Sequence, residues 1–180
     1  MNSLLILIDT LFNLYLMIVL LRLWLQFARA DFYNPFSQFV VKATHPLVGP
    51  LRRFLPSFGR LDTATLVLAL VVAAVKLITL GLVAGGININ PIQLLVLSFI
   101  TVFKEALSLL IYVLILRAIL SWVSQGRNPI ELVMAQLTEP MLAPIRKRMP
   151  DMGGLDLSVM VVILLLFFVQ NLLGELFGIR

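Results

Sequence analysis

The sequence predicts an all-α membrane protein: four transmembrane helices forming two parallel tandem repeats, each with a cytoplasmic interfacial helix and a proline-rich segment. Three observations predict it. Of the 180 residues, 61% are hydrophobic and only 13% charged, whereas soluble chains run near ~45–50% apolar and ~25% charged. Four apolar stretches each reach the ~20 residues that carry a helix across ~30 Å of hydrocarbon. Finally, a shift of 94 positions lays residues 34–62 over residues 128–156 with ten identities, among them four of the prolines in each copy. Composition alone would not place prolines in matching order, so the chain is read as a duplication.

The first span runs from about Leu4 to Phe27. Met1-Asn2-Ser3 lacks a basic n-region and the apolar run carries Asp9, so a retained span is expected rather than a cleaved signal. The segment 28–62 follows, where Asn34 before Pro35 suits an N-cap with proline at the first helical position. Phe36, Phe39, Val40 and Ala43 then recur at helical spacing, giving a short helix expected to stop at Pro46, before Pro50. His45, the only histidine, is read as marking that turn. Asp62 precedes the second span, about 63–83, and is expected to cap its free N–H groups or to pair with Arg52.

The uncharged connection 84–91 leads into the second unit, so the repeats are set at 1–86 and 87–180. The third span, about 92–123, is 32 residues long and leaves room for a break near Lys104-Glu105. In the segment 126–156, Asn128-Pro129 opens a second short helix with Ile130, Val133, Met134 and Leu137 on one face. It is expected to stop at Pro140, with Pro144 and then Asp156 leading into the fourth span, about 157–177.

Two spans per unit is an even number, so both units enter the bilayer from the same side. The two proline-rich segments hold nine basic residues and the outer end only Arg180. That asymmetry places the segments in the cytoplasm and both termini outside.

The repeated pattern is Asn-Pro, then Thr-x-Pro-x-x-x-Pro-x-Arg-Arg/Lys, then Pro-x-x-Gly-x-Leu-Asp. With Asp31 through Lys42, Gly49-Pro50-Leu51-Arg52-Arg53, Leu21-Arg22 and Ser121 through Gly126, it resembles the YggT family of bacterial membrane proteins over nearly the whole chain. The copies differ in Arg60 against Gly154 and His45 against Glu139. The resemblance implies a link to osmotic or cation stress tolerance. Relatives are linked to cell division or nucleoid organisation, and plastid relatives to cytochrome assembly. It implies no catalytic activity.

Two groups of residues carry the candidate chemistry. The first is the cytoplasmic segment, with the apolar positions Phe36, Phe39, Ile130 and Met134 and the cations Arg52, Arg53, Arg146, Lys147 and Arg148. Its apolar stripes either meet lipid or a partner, or pack back on the chain's own spans. The cations suit anionic headgroups at ~1 kcal/mol each, and they also set topology.

The second group is an intramembrane polar layer: Asp9, Lys76, Lys104, Glu105, Gln170 and Asn171. Charges are costly there, so Asp9 or Glu105 is expected to pair with Lys76. The layer is read as a proton- or cation-responsive site or as polar glue between helices.

Other classes are disfavoured. With no cysteine there is no disulfide or thiolate site. Walker, zinc-protease and nucleophile-elbow motifs are missing from the sequence, so no enzyme, cofactor or metal is expected. The basic clusters are short and flanked by Glu139, Asp151 and Asp156, which argues against sequence-specific nucleic-acid binding. The expected partners are the lipid bilayer with anionic headgroups, an unknown membrane protein and a second copy of the chain. The sequence thus points to a non-catalytic membrane factor that assembles or modulates partners, with a small ion channel or transporter subunit as the alternative.

Overall fold

Within hydrocarbon every backbone N–H and C=O needs an internal partner, and a helix supplies them all within one segment. The long Leu-, Val- and Ile-rich runs of this chain take that solution. The computed structural model describes residues 3–57, 59, 61–86, 90–123, 128–148 and 157–177. Among them it has six helices: α1 (Ser3–Phe27), α2 (Pro35–Arg52), α3 (Thr63–Val83), α4 (Pro91–Val123), α5 (Pro129–Arg146) and α6 (Leu157–Phe177). Helices α1, α3, α4 and α6 are long and apolar enough to cross a membrane, as a multi-pass membrane protein requires. Helix α4 is unbroken over its 33 residues, so the break allowed near Lys104-Glu105 does not occur.

Helices α2 and α5 begin as their sequences dictate. The Asn34 side-chain oxygen accepts from the Phe36 N–H at 2.9 Å, and Asn128 accepts from Ile130 at 2.9 Å. They do not stop where expected. Pro46 and Pro50 lie inside α2, and Pro140 and Pro144 inside α5, so both helices run on to an arginine. An interior proline removes one helical hydrogen bond and costs ~3 kcal/mol. Here each pair is spaced four apart, and all four prolines are exposed on the outer face. The carbonyls they orphan lie on that face, where polar surroundings can satisfy them. The opposite face stays regular and buries Val40, Thr44 and Val48 in α2, and Met134, Thr138 and Leu142 in α5. His45 is accordingly an exposed helical residue, and no turn forms there.

Two helix ends show how the chain leaves a span. After α1, Ala30 N–H bonds back to Leu25 at 3.0 Å while Arg29 takes a φ of 52°. After α3, Gly86 N–H reaches Gly81 at 3.0 Å and Gly85 has a φ of 114°. Both are the reversed endings in which a left-handed residue frees the next N–H to close the helix. Glycine does this at little steric cost, whereas Arg29 is an uncommon occupant.

Packing centres on α4, which buries two faces. Val102, Leu109 and Val113 join the core built by α1, α2 and α3, together with Val133, Met134 and Leu137 of α5. Leu107, Ile111 and Leu114 form a second core with Leu142 of α5 and Val159, Val162 and Leu166 of α6. Helices α2 and α5 touch: Asn34 Nδ2 donates to the Pro129 carbonyl at 2.6 Å, and the Asp31 N–H to Gln136 Oε1 at 3.0 Å. The C-terminal ends of α1 and α4 therefore lead to one shared layer.

Asn34 caps one helix and bridges to the other, while Asn128 caps α5 and makes no such bridge among the described residues. Asn34→Ala should cost the ~1 kcal/mol of a lost cap and a further ~1 kcal/mol for the bridging bond. In lipid nanodiscs its melting temperature should fall further than that of Asn128→Ala. Equal falls would mean that the bridge contributes nothing.

Candidate functional site

A shift of 95 positions, one more than relates the loops, lays α1 over α4 and brings Arg22 onto Arg117. The two arginines do the same thing. Arg22 is buried at the end of α1 and donates through Nη1 to the Thr44 hydroxyl at 2.7 Å. Thr44 in turn donates to the Val40 carbonyl one turn back, at 2.8 Å. In the second copy Arg117 donates to the Thr138 hydroxyl, and Thr138 to the Met134 carbonyl at 2.7 Å. Arg22 also reaches the Val41 carbonyl at 3.2 Å, in the turn before Pro46. Each span is thus locked to its following helix through a charge-assisted bond in a buried place, where such bonds are strongest.

Around this lock the copies diverge. In the first, Arg52 at the end of α2 donates through Nε to Asp62 Oδ2 at 3.2 Å and through Nη2 to Gln26 Oε1 at 3.0 Å. The Thr65 hydroxyl donates to the same Asp62 oxygen at 2.6 Å. Asp62 stands at the N-cap position of α3, yet its side chain makes no cap bond to the backbone. The expected capping role is therefore replaced by the pairing with Arg52 and the bond from Thr65. Burial pushes the Asp62 carboxyl up, but the hydrogen bonds from Arg52 and Thr65 outweigh this and hold it below its ordinary value. Asp156, its counterpart in the second copy, lies outside the described residues.

In the second copy Glu139, standing where the first has His45, joins two arginines. Its Oε2 accepts from Arg117 at 2.8 Å and its Oε1 from Arg146 at 2.7 Å. The hydrogen bond from Arg117, aided by the charge of Arg146, holds the Glu139 carboxyl below its ordinary value.

Within the spans the polar groups find each other. Lys76 of α3 forms an ion pair with Asp9 Oδ1 of α1 at 2.9 Å and also donates to the Asn13 side-chain oxygen. Asn13 Nδ2 closes the set by donating to Asp9 Oδ2 at 3.0 Å. In the second copy Gln170 donates to the Ser108 hydroxyl at 2.7 Å. Gln170 matches Lys76 and Ser108 matches Asn13, so the α1–α3 bridge recurs between α4 and α6. Glu105 is buried on α4, Lys104 half-buried beside it, and Asn171 is exposed on α6.

The other expected site residues divide between inside and outside. Phe36 and Ile130 are half-buried against the first core, and Met134 is fully buried in it. Phe39 is exposed, as are Arg53, Lys147 and Arg148. A cleft of about 320 Å³ between α1 and α4 is lined by Leu20, Leu23, Trp24, Phe27, Leu61 and Leu109 among others. It is apolar, and no acid, base or nucleophile lines it among the described residues. No cluster of potential metal ligands occurs among the described residues.

The sequence reading missed Arg22, Thr44, Arg117 and Thr138 as a working set, and Asn13 and Ser108 as partners. The signal was available. Thr44 and Thr138 are repeat identities, and the second shift of 95 would have aligned both arginines and both partners.

Both depressed carboxylates make stability depend on pH. Their pairing stabilises the fold above the unfolded carboxylate range, about pH 4, and is lost as pH falls through the lower folded values. Melting temperature in nanodiscs should fall between about pH 5 and pH 3, and Asp62→Asn with Glu139→Gln should flatten that fall. An unchanged slope in the double variant would assign the acid sensitivity elsewhere.

Comparison with known proteins agrees with the duplicated architecture. The family model CCB3/YggT matches the chain twice, over residues 1–83 and 96–177. An uncharacterized protein in the proC 3' region of Vibrio alginolyticus is 55% identical over 99% of this chain and 97% of its own length. The uncharacterized protein YggT of Escherichia coli is 46% identical over 97% of this chain and 91% of its own. A protein of Haemophilus influenzae, also uncharacterized, is 41% identical over 95% and 91%. No solved structure matches. The chain belongs to the CCB3/YggT family.

Proposed function

We propose that this protein is a non-catalytic inner-membrane scaffold that supports tolerance to osmotic or cation stress by assembling or modulating partner membrane proteins. In this reading the two repeats run parallel, α2 and α5 lie along the cytoplasmic leaflet, and both termini are periplasmic. The contact between α2 and α5 supports the parallel arrangement, since the C-terminal ends of α1 and α4 meet there.

The observation that carries the proposal is the outer face of α2 and its flanks. Phe32, Leu47 and Phe54 are exposed there, beside exposed Lys42 and Arg53. Exposed apolar side chains with exposed cations near them in the sequence suit the boundary between acyl chains and anionic headgroups. The Arg22–Thr44 lock fixes this face relative to the span, so a partner docking beside it meets a defined surface. Conduction is less well supported, because Asp9, Asn13 and Lys76 bond to one another and Gln170 bonds to Ser108, as polar glue between helices does. A small channel or transporter subunit remains the second reading, favoured by one observation: Glu105 is a carboxylate buried within a span, in the field of Lys76 and Asp9.

Two variants separate these readings in cells grown at high salt, at equal protein level in the membrane. The scaffold loses tolerance with Leu47→Glu plus Phe54→Glu and keeps it with Asp9→Asn plus Lys76→Met. The paired substitution is used because removing Lys76 alone would leave Asp9 as an unpaired charge. Tolerance lost only with the second pair would overturn the scaffold and favour ion movement.

A further inference from the structure

Matched residues of the two copies differ in exposure in a systematic way. On α4, Val102 and Leu109 are each 8% exposed in the core built by the first copy, whereas their counterparts on α1, Leu7 and Leu14, are 56% and 55% exposed. On α3, Ala73 is 0% exposed, and its counterpart on α6, Phe167, is 44% exposed. Ala69 is likewise buried while its counterpart Ile163 is half-buried. The contrast extends to the shared layer, where Val133 of α5 is buried and Phe39 of α2 is exposed. At the C-terminal half of the spans it reverses: Leu20 is buried on α1, and Ile115 is exposed on α4.

These contrasts have one geometric source. The first copy turns α3 and the C-terminal half of α1 toward the second, which answers with the Val102, Leu109 and Val113 face of α4 and with α5. The two copies use different faces, so the contact is heterologous rather than two-fold. Each copy nevertheless carries both faces, because they are duplicates. One face of each kind is therefore left uncovered: Leu7, Leu14 and Phe39 at one end of the molecule, and Ile115 and Phe167 at the other.

We propose that a second copy of this chain covers these faces, so that α6 of one molecule packs on α1 of the next as α3 packs on α4 within the chain. Lipid is the competing occupant of any apolar face in a bilayer, where helix association rests on packing and polar contacts rather than on the exclusion of water. The choice of protein rests on continuity with an existing interface, since the same faces on the same kind of helix already form a protein contact inside each chain. Thr10 stands where Glu105 does, so the contact between molecules buries no additional carboxylate. Ile163 and Phe167 are larger than the alanines they match, which sets α6 further from α1 than α3 lies from α4. A heterologous contact of this kind closes into a ring or extends as a row, according to the rotation at each step.

The chain has no cysteine, so introduced ones report without background. Two differently tagged copies, one with Leu14→Cys and one with Phe167→Cys, are co-expressed and oxidised in native membranes. The expected result is a mixed-tag band of doubled apparent mass. Leu14→Cys with Leu165→Cys, whose α6 position is exposed but turned away from this face, should give far less of it. Bands from the Leu14→Cys copy with itself and the Phe167→Cys copy with itself, in place of the mixed band, would overturn the head-to-tail geometry. Mixed product no greater than the Leu165→Cys control would leave lipid as the occupant and overturn the proposal.

Discussion

A guanidinium drawn inside at the end of a long apolar helix, fully buried at Arg22 and half-buried at Arg117, must be answered by oxygen atoms, and in both copies the answer is a threonine on the following helix. Arg22 meets Thr44, and Arg117 meets Thr138. Much else follows from this pairing. It ties α2 to α1 and α5 to α4 by a directed bond, beside the apolar packing that these helices share. It also sets which way the proline helices face. With Thr44 and Thr138 turned inward, the prolines two and six residues further on point outward, where their orphaned carbonyls are least costly.

The duplicated lock is held by different neighbours in each copy, and the difference shows what is interchangeable. In the first copy Arg52 is tied to Asp62, which precedes α3 and already accepts from Thr65. In the second, Glu139 bridges Arg146 of its own helix α5 to Arg117 of α4. Each arrangement sets a carboxylate among arginines, one supplied by the start of the next span and one by the helix itself. The spans follow the same logic. Lys76 with Asn13 and Asp9 is an ionic bridge between α1 and α3, and Gln170 with Ser108 is its neutral equivalent between α4 and α6. A charge can thus be exchanged for an amide at this position while the bridge itself is kept. Polar glue between helices accounts for that exchange more simply than an ion site does.

The four long helices were legible in the sequence because hydrocarbon demands a simple signal: length, low charge and no breaker within the run. The Asn-Pro starts of α2 and α5 were equally plain, since cap and proline act locally. Their ends were misread at Pro46 and Pro140. The usual penalty of an interior proline was applied without asking which face would carry it. The candidate site was legible only in part. Thr44 and Thr138 stood out as repeat identities, but a helical threonine gives no sign that an arginine some twenty residues earlier will reach it. Asn13 and Ser108 were hidden for a related reason, because the two repeats need different shifts in their spans and loops, and a single shift misaligns the partners. Which apolar positions face a neighbouring helix was not legible at all. Val102 and Leu7 are matched by the repeat, and only packing separates them.

The central claim is that the arginine–threonine lock holds each short helix to its span. A double-mutant cycle on Arg22→Gln and Thr44→Val, read by unfolding of the full chain in lipid, tests it most directly. A hydrogen bond from a charged donor in a buried place contributes about 1.5–3 kcal/mol, and a coupling energy in that range is the predicted result. Additive effects of the two substitutions would contradict it, and would mean that α2 is held by its apolar face and the bonds of Arg52 instead.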